Sequence, residues 1–324
     1  MFPLMRLSPI VFFVYNRPFL TLKSLKSLKN NVLSDQSRLY IFSDGPKETA
    51  TENEKNNIEK VREIIHSLKW CNHVFIEEAE TNKGLANSQI EGITQVINEY
   101  GKVIVLEDDL VFSPYFLKFM NEGLNYYEDD HNIISITGTG FSPEYMKKPT
   151  FYKHDVYLSY RTNSTGWGTW LDRWNMVDWE MNYFDDFIKS EDKIKKLKRG
   201  GEDLFDILNA QKKERIDSWA IRWAYTAAEY DKYCVYPFKS YTTNIGFGKD
   251  STHTKGLMSF LVNDIDEALP DVIFTDLKVN RAISKQIRDI FQITVSENYT
   301  TKMRRIIVKG IKKVGLYNFF KKLR

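Results

Sequence analysis

Lys102-Val-Ile-Val-Leu-Glu-Asp-Asp-Leu-Val111 is the stretch on which the reading of this chain turns. Four apolar residues, Val103 to Leu106, run straight into three carboxylates, Glu107, Asp108 and Asp109. A short apolar run without alternation predicts a strand covered on both faces of a sheet. Carboxylates are rarely buried without a partner, so the strand should end where the charges begin, at an edge open to solvent or to a cation. Ligands of open α/β sheets bind just beyond the carboxyl ends of the strands. Clustered carboxylate oxygens suit a hard divalent cation that is shared with substrate phosphates. An ordinary acidic turn would also account for the triplet; the abrupt passage from strand to acids favours the cation.

Upstream, apolar strands alternate with helical stripes. Pro9 to Tyr15 predicts a first strand, ended by Asn16-Arg17-Pro18, and Leu20, Leu22, Leu25 and Leu28 follow at roughly helical spacing. Leu39 to Phe42 and Val74 to Ile76 predict two more strands, the former stopped by Ser43-Asp44-Gly45-Pro46. Thr51-x-x-Glu54 has the form of a capping box ahead of Ile58, Val61, Ile65 and Leu68. Asn82-Lys83-Gly84 leads into a helix carrying Ile90, Ile93 and Ile97. Ser113-Pro114 predicts the start of the next helix, with proline in its first position. Ile133 to Ile136 adds a strand. This alternation predicts βαβ units and a mostly parallel sheet flanked by helices. Three strand ends then share one edge: Asn16-Arg17, Ser43-Asp44-Gly45 and Glu107-Asp108-Asp109.

From about residue 151 the pattern changes to the aromatic, hydroxyl-rich segment Tyr160-Arg-Thr-Asn-Ser-Thr-Gly-Trp-Gly-Thr-Trp170. Helices are predicted over Asp185–Lys198, Glu202–Lys213 and from Asp217 towards Tyr230, with a strand at Cys234 to Pro237. A glycine- and hydroxyl-rich loop from Gly246 to Thr254 contains His253. No repeat or low-complexity linker separates the halves. Residues 1–150 are read as a Rossmann-like nucleotide-binding half, 151–299 as the acceptor-side half of the same unit, and 300–324 as a tail.

Composition fits a globular chain of 324 residues, with 42% hydrophobic and 27% charged residues. The net charge of +3 is unevenly placed: nine Lys/Arg and no Asp/Glu lie between Thr300 and Arg324, which leaves 37 basic against 43 acidic residues elsewhere. The body is therefore not a nucleic-acid binder. Two cysteines, Cys71 and Cys234, provide neither a disulfide framework nor zinc spacing, so a reducing, cytoplasmic setting is expected. The apolar start is interrupted by Arg6 and Pro9 and is too short for a signal core, and no stretch is long enough to span a bilayer.

These residues resemble nucleotide-sugar glycosyltransferases of the GT-A fold, specifically relatives of the N-acetylglucosaminyltransferase I family. The resemblance is carried by Tyr-Asn-Arg-Pro at 15–18, Ser43-Asp44-Gly45, Val-Leu-Glu-Asp-Asp-Leu at 105–110, Gly166-Trp167-Gly168, Asp217-Ser-Trp219 and Asn244-Ile-Gly-Phe-Gly248, in that order. It implies that Asp109 holds the metal, Mn²⁺ or Mg²⁺. It further implies that Glu107 and Asp108 face the donor ribose and sugar, that Arg17 lies by the phosphates and Asp44 by the base, and that Tyr15 and Asn16 are among the donor-binding residues. It also implies an inverting transfer, with Asp217 as the base that takes the acceptor proton. Helix capping is the other reading of Asp217, and Glu202 and Asp203 are alternative bases.

Trp167 and Trp170 are read either as an acceptor platform or as core. His253 is read as a further metal-side residue or as incidental, and Gly84 and Asn87 as donor contacts or as a plain helix start. The implied partners are a nucleotide-sugar donor, expected to be a UDP-sugar, and a glycan or glycolipid acceptor. The basic, apolar-studded tail suggests docking on the inner face of a membrane, with simple solubilising charge as the alternative. Two other classes fit less fully: a non-catalytic carbohydrate-binding protein of the same fold, and a nucleotidyltransferase.

Overall fold

A computed structural model describes residues 6–246, 265 and 272–292. The first part of the chain forms β1 (Ile10–Val14), α1 (Pro18–Lys29), β2 (Arg38–Ser43), α2 (Glu52–Ser67), β3 (His73–Glu78), α3 (Leu85–Tyr100) and β4 (Lys102–Glu107). There follow β5 (Leu110–Phe112), α4 (Phe116–Tyr126), β6 (Ile133–Thr137), β7 (Val156–Ser159), β8 (Trp167–Trp170), α5 (Leu171–Trp174) and α6 (Phe184–Ile188). Then come α7 (Glu191–Lys198), α8 (Asp203–Lys212), α9 (Trp219–Glu229), β9 (Tyr233–Pro237) and β10 (Thr242–Asn244), and a last helix covers 281–292.

Eight strands form one sheet in the order β3-β2-β1-β4-β8-β6-β9-β7. The block β3-β2-β1-β4 is parallel, as the alternation of strands and helices predicts. Beyond β4 the sheet is mixed: β8 runs antiparallel to both β4 and β6, β6 is parallel to β9, and β7 is antiparallel to β9. "Mostly parallel" therefore holds for the first half only. Strands β5 and β10 pair as a separate antiparallel ribbon. The sheet passes without interruption from the first 150 residues into the rest, because β8 lies between β4 and β6.

Alternating side chains of the central strands build a layer on each face. Ile10, Phe12, Ile104 and Leu106 pack with Leu25 and Leu28 of α1, Val61 and Ile65 of α2, and Met120 and Leu124 of α4. Val11, Phe13, Val103 and Val105 pack on the opposite face with Ile93, Val96 and Ile97 of α3 and Trp223 of α9. Both faces are thus covered, which is why β4 reads as an unbroken apolar run.

Local signals explain the helix ends unevenly. Thr51 and Glu54 form the expected capping box at the start of α2. Ser113-Pro114 does not open a helix directly, since α4 begins at Phe116. The helix expected over 185–198 is two, α6 and α7, and Ser190 caps the second by accepting a hydrogen bond from the Lys193 N–H.

Trp167 and Trp170 require a correction as acceptor-platform candidates. Both lie on β8, at 0% and 2% exposure, paired in register with Val105 and Lys102 of β4. Trp167 stacks on Trp219 at 5.2 Å between ring centroids, and the Trp170 indole N–H donates to the Leu124 carbonyl at 3.0 Å. Gly168 between them is forced by the sheet, because a Cβ there would stand 2.8 Å from the Val103 carbonyl oxygen. These tryptophans are core, and no sugar reaches them. Among the described residues no helix is long and apolar enough to cross a membrane. His253 and the tail 300–324 lie outside the described residues.

Candidate active site

The register of the parallel block gathers the three polar strand ends. Phe13 of β1 pairs with Glu107 of β4, Val14 pairs with Ser43 of β2, and the Asp44 N–H donates to the Val14 carbonyl at 3.1 Å. Arg17, one turn past β1, donates to Asp108 through Nη2 and to Asp109 Oδ2 through Nη1 at 3.2 Å. Thr21 Oγ1 donates to the other Asp108 oxygen at 3.3 Å, and Asp108 is only 2% exposed. Burial pushes the Asp108 carboxyl up to about 6, against the opposing pull of Arg17.

Glu107 accepts a hydrogen bond from Gln89 Nε2 at 2.9 Å. Burial, and after it the adjacent Asp109 charge, push the Glu107 carboxyl up to about 7. Asp109 differs from its neighbours: its Oδ1 is buried and has no hydrogen-bond partner. The chain after β10 closes over it, with the Ile245 N–H on the Asp109 carbonyl at 2.8 Å. Gly246 packs so closely that a Cβ there would stand 2.8 Å from Asp109 Oδ2.

Asp44 is anchored otherwise than expected. Its two oxygens accept from the N–H groups of Gly45 at 2.9 Å, Lys83 at 2.8 Å and Gly84 at 3.1 Å, and from Asn82 Nδ2 at 2.9 Å. A carboxylate has about four acceptor directions, and all are filled by protein. Asp44 therefore ties the 82–84 turn to the end of β2, and a base contact is not its role in this arrangement. Gly84 precedes α3 at a φ of 81°, a conformation that suits glycine, and frees its N–H for Asp44. Asn87 is exposed and donates to the Lys83 carbonyl at 3.2 Å. Tyr15 and Asn16 are half-buried just beyond β1.

Glu107 and Asp109 open onto a cavity of about 310 Å³, whose far wall is built from Phe141, Arg161, Thr165, Trp223 and Phe291. Ser218 lines it and Asp217 does not. Asp217 is exposed and accepts from Arg222 Nη2 at 2.7 Å. The cap of α9 is Ser218, whose hydroxyl accepts from the Ile221 N–H, so capping does not explain Asp217. Of the alternative bases, Asp203 is held by both terminal nitrogens of Arg161 at 2.9 Å each, and Glu202 pairs with Lys198 at 2.9 Å outside the cavity.

Gln89 and Thr21 belong to the site and went unread in the sequence. The usable signal was a polar residue on a core-facing stripe: Gln89 stands one turn before Ile93, and Thr21 one turn before Leu25, and both are fully buried. Among the described residues no group of three His, Cys, Asp or Glu side chains could hold a metal. The orphaned Asp109 Oδ1 fits a different arrangement, in which protein supplies one carboxylate and a diphosphate supplies further oxygens.

No family model and no curated protein matches this chain. The resemblance to the N-acetylglucosaminyltransferase I family is therefore one of motifs alone, and no comparison supports that relationship. Among solved structures the chain is similar to Staphylococcus aureus TarS 1-349, at 14% identity and a TM-score of 0.40, over 73% of this chain and 60% of that one. The same fragment in complex with UDP-GlcNAc gives 15% identity and a TM-score of 0.40, over 73% and 58%. A longer TarS structure gives 15% identity and a TM-score of 0.34, over 51% of this chain and 28% of that one. The aligned part thus spans at most 60% of these structures.

Proposed function

We propose that this protein is a glycosyltransferase that moves a sugar from a nucleotide donor, a UDP-sugar, to a glycan acceptor. The observation that carries the reading is the acid triplet at the end of β4, flanked by Arg17, with one buried Asp109 oxygen unpartnered at the mouth of a 310 Å³ cavity. Asp109 would hold a divalent cation, Mn²⁺ or Mg²⁺. Bound there, the cation offsets charge that develops on the leaving diphosphate. Arg17 supplies a further positive group at the same edge. The Asp44 latch fixes the 82–84 turn beside the donor, and Gln89 orients Glu107 towards the cavity.

The cavity beyond the triplet takes the acceptor. Asp217 acts as the base, accepting the proton of the acceptor hydroxyl as that oxygen attacks the sugar carbon with inversion. Its support is the Asp217-Ser-Trp219 motif; the carboxylate is paired with Arg222 outside the lining of the cavity and would turn inward beside Ser218 to reach the acceptor. Thermal shift with a panel of UDP-sugars, UDP-GlcNAc included, tests the reading. One UDP-sugar should stabilise the protein only when Mn²⁺ or Mg²⁺ is present; no stabilisation by any of them in either metal sinks it.

A further inference from the structure

Next to this cavity lies a second hollow of about 380 Å³, bounded by Ile194, Lys195, Lys198, Arg199, Glu202 and Arg288. A thin partition separates the two. Arg161 Nη1 donates to the Gly200 carbonyl at 3.2 Å, and its guanidinium stacks 3.4 Å from the centre of the Phe291 ring. Gly201 is wedged there too: a Cβ on it would meet Arg161 Nη1 at 2.7 Å and Phe291 Cβ at 3.3 Å. Phe291 faces the cavity and Arg288, one turn earlier on the same helix, faces the hollow.

The charges of the hollow are unevenly matched. Lys198 is paired with Glu202 at 2.9 Å, and Arg199 with Asp231. Among the described residues Lys195 and Arg288 have no carboxylate partner. Arg199 is further fixed by stacking 4.0 Å over the Tyr160 ring, which leaves Lys195 and Arg288 as the cations open to a ligand. This positive concavity sits on a body that is acidic outside residues 300–324.

We infer that the hollow is a docking subsite for an acidic group, a carboxylate or a phosphate, carried by the glycan acceptor one or more sugars from the reacting end. The inference rests on the cavity being the acceptor site. A shallow hollow whose cations are interspersed with carboxylates favours a soluble glycan over a bilayer. Lys195 is exposed while Lys198, Arg199 and Arg288 are half-buried, and Glu191 and Glu202 on the rim would repel a flat anionic surface. Unmatched cations in a concavity attract anions more strongly than the same cations on open surface.

Calorimetry on the full chain tests this with three soluble probes: a hyaluronan tetrasaccharide for the carboxylate source, tripolyphosphate for the phosphate source, and neutral chitotetraose as control. The charge reversal Lys195→Glu/Arg288→Glu is compared with the milder Lys195→Ala/Arg288→Ala pair, each first shown to melt cooperatively. At least one acidic probe should bind, weaken in high salt, and lose about tenfold in affinity in the charge-reversed protein. Chitotetraose should not distinguish the variants. Equal affinity in wild type and both variants overturns the inference, because the anion then binds elsewhere. No binding of either acidic probe overturns it as well. So does loss of binding to phosphatidylglycerol vesicles in the variants without binding of a soluble probe, which would make the hollow a membrane contact. Thermal shift by the UDP-sugar should be unchanged in both variants, so failure on the donor side is separable from failure of this subsite.

Discussion

Arg17 Nη1 stands 3.2 Å from Asp109 Oδ2 and leaves the buried Oδ1 of the same carboxylate without a donor. The pair joins the ends of two neighbouring parallel strands, β1 and β4. It orients Asp109 so that one oxygen is neutralised and the other is available.

Removing that guanidinium should weaken donor binding; because it also strips the buried Asp108 of its cation, each variant is first shown to melt cooperatively. Arg17→Ala should raise the dissociation constant for a UDP-sugar roughly ten- to a hundredfold, as charge-assisted hydrogen bonds are worth about 1.5–3 kcal/mol. Arg17→Lys should recover little, because the guanidinium reaches two carboxylates at once. Titration calorimetry checks both, and wild-type affinity in Arg17→Ala would show that Arg17 stands apart from the donor.

Gly246→Ala tests the other side of Asp109. The new methyl would lie 2.8 Å from Oδ2, so either Asp109 turns or the chain after β10 lifts. Stabilisation by metal and UDP-sugar together should fall sharply, while the melting temperature of the unliganded protein changes little. Unaltered liganded stabilisation would mean that the Asp109 position is not critical.

Asp217→Asn separates chemistry from binding. The amide keeps the size and can still meet Arg222, yet cannot take a proton at neutral pH. Transfer should drop by roughly a thousandfold, within the range of about 10²–10⁴ assigned to positioned bases, and thermal shift by the UDP-sugar should persist. Retained turnover would move the role to another carboxylate, with Glu107 next in line because it lines the cavity.

Glu107→Gln addresses pH. The Glu107 carboxyl is raised from 4.5 to about 7 in the folded protein, so between those values the folded state holds a proton that the unfolded state has released. Stability from this group is therefore fully present at low pH and is lost as pH rises through this window. The maximum effect is on the order of 3 kcal/mol, reduced because Glu107 lines the cavity and is not sealed in the core. Asp108, raised to about 6, contributes in the same sense at slightly lower pH. Denaturant midpoints across pH 4.5 to 7 should fall less steeply in Glu107→Gln than in wild type. Parallel curves would contradict the burial of this carboxyl.

What the sequence disclosed follows from how much each residue's pattern depended on neighbours close in the chain. β4 and its acid triplet were legible because a strand covered by helices on both faces must be apolar throughout, and the charges could only mark its end. The Thr51–Glu54 cap was legible because it is wholly local. Trp167-Gly-Thr-Trp170 stayed open between platform and core because its hydroxyls and glycines carry no strand pattern. Its glycine is demanded by the Val103 carbonyl of a strand more than sixty residues earlier. Asp44 misled: its donors come from residues 82–84, and local spacing does not reveal that they return to it.

The placement of β8 between β4 and β6 bears on how the chain is made. A ribosome that has released the first 150 residues has delivered β4 without the strand that covers its second edge. Until Trp170 emerges, the backbone donors and acceptors on the edge of β4 that faces away from β1 can be satisfied only by water or by another nascent chain. The sheet therefore cannot be finished from its amino end, and the half that carries the acid triplet waits for the other half to be synthesised.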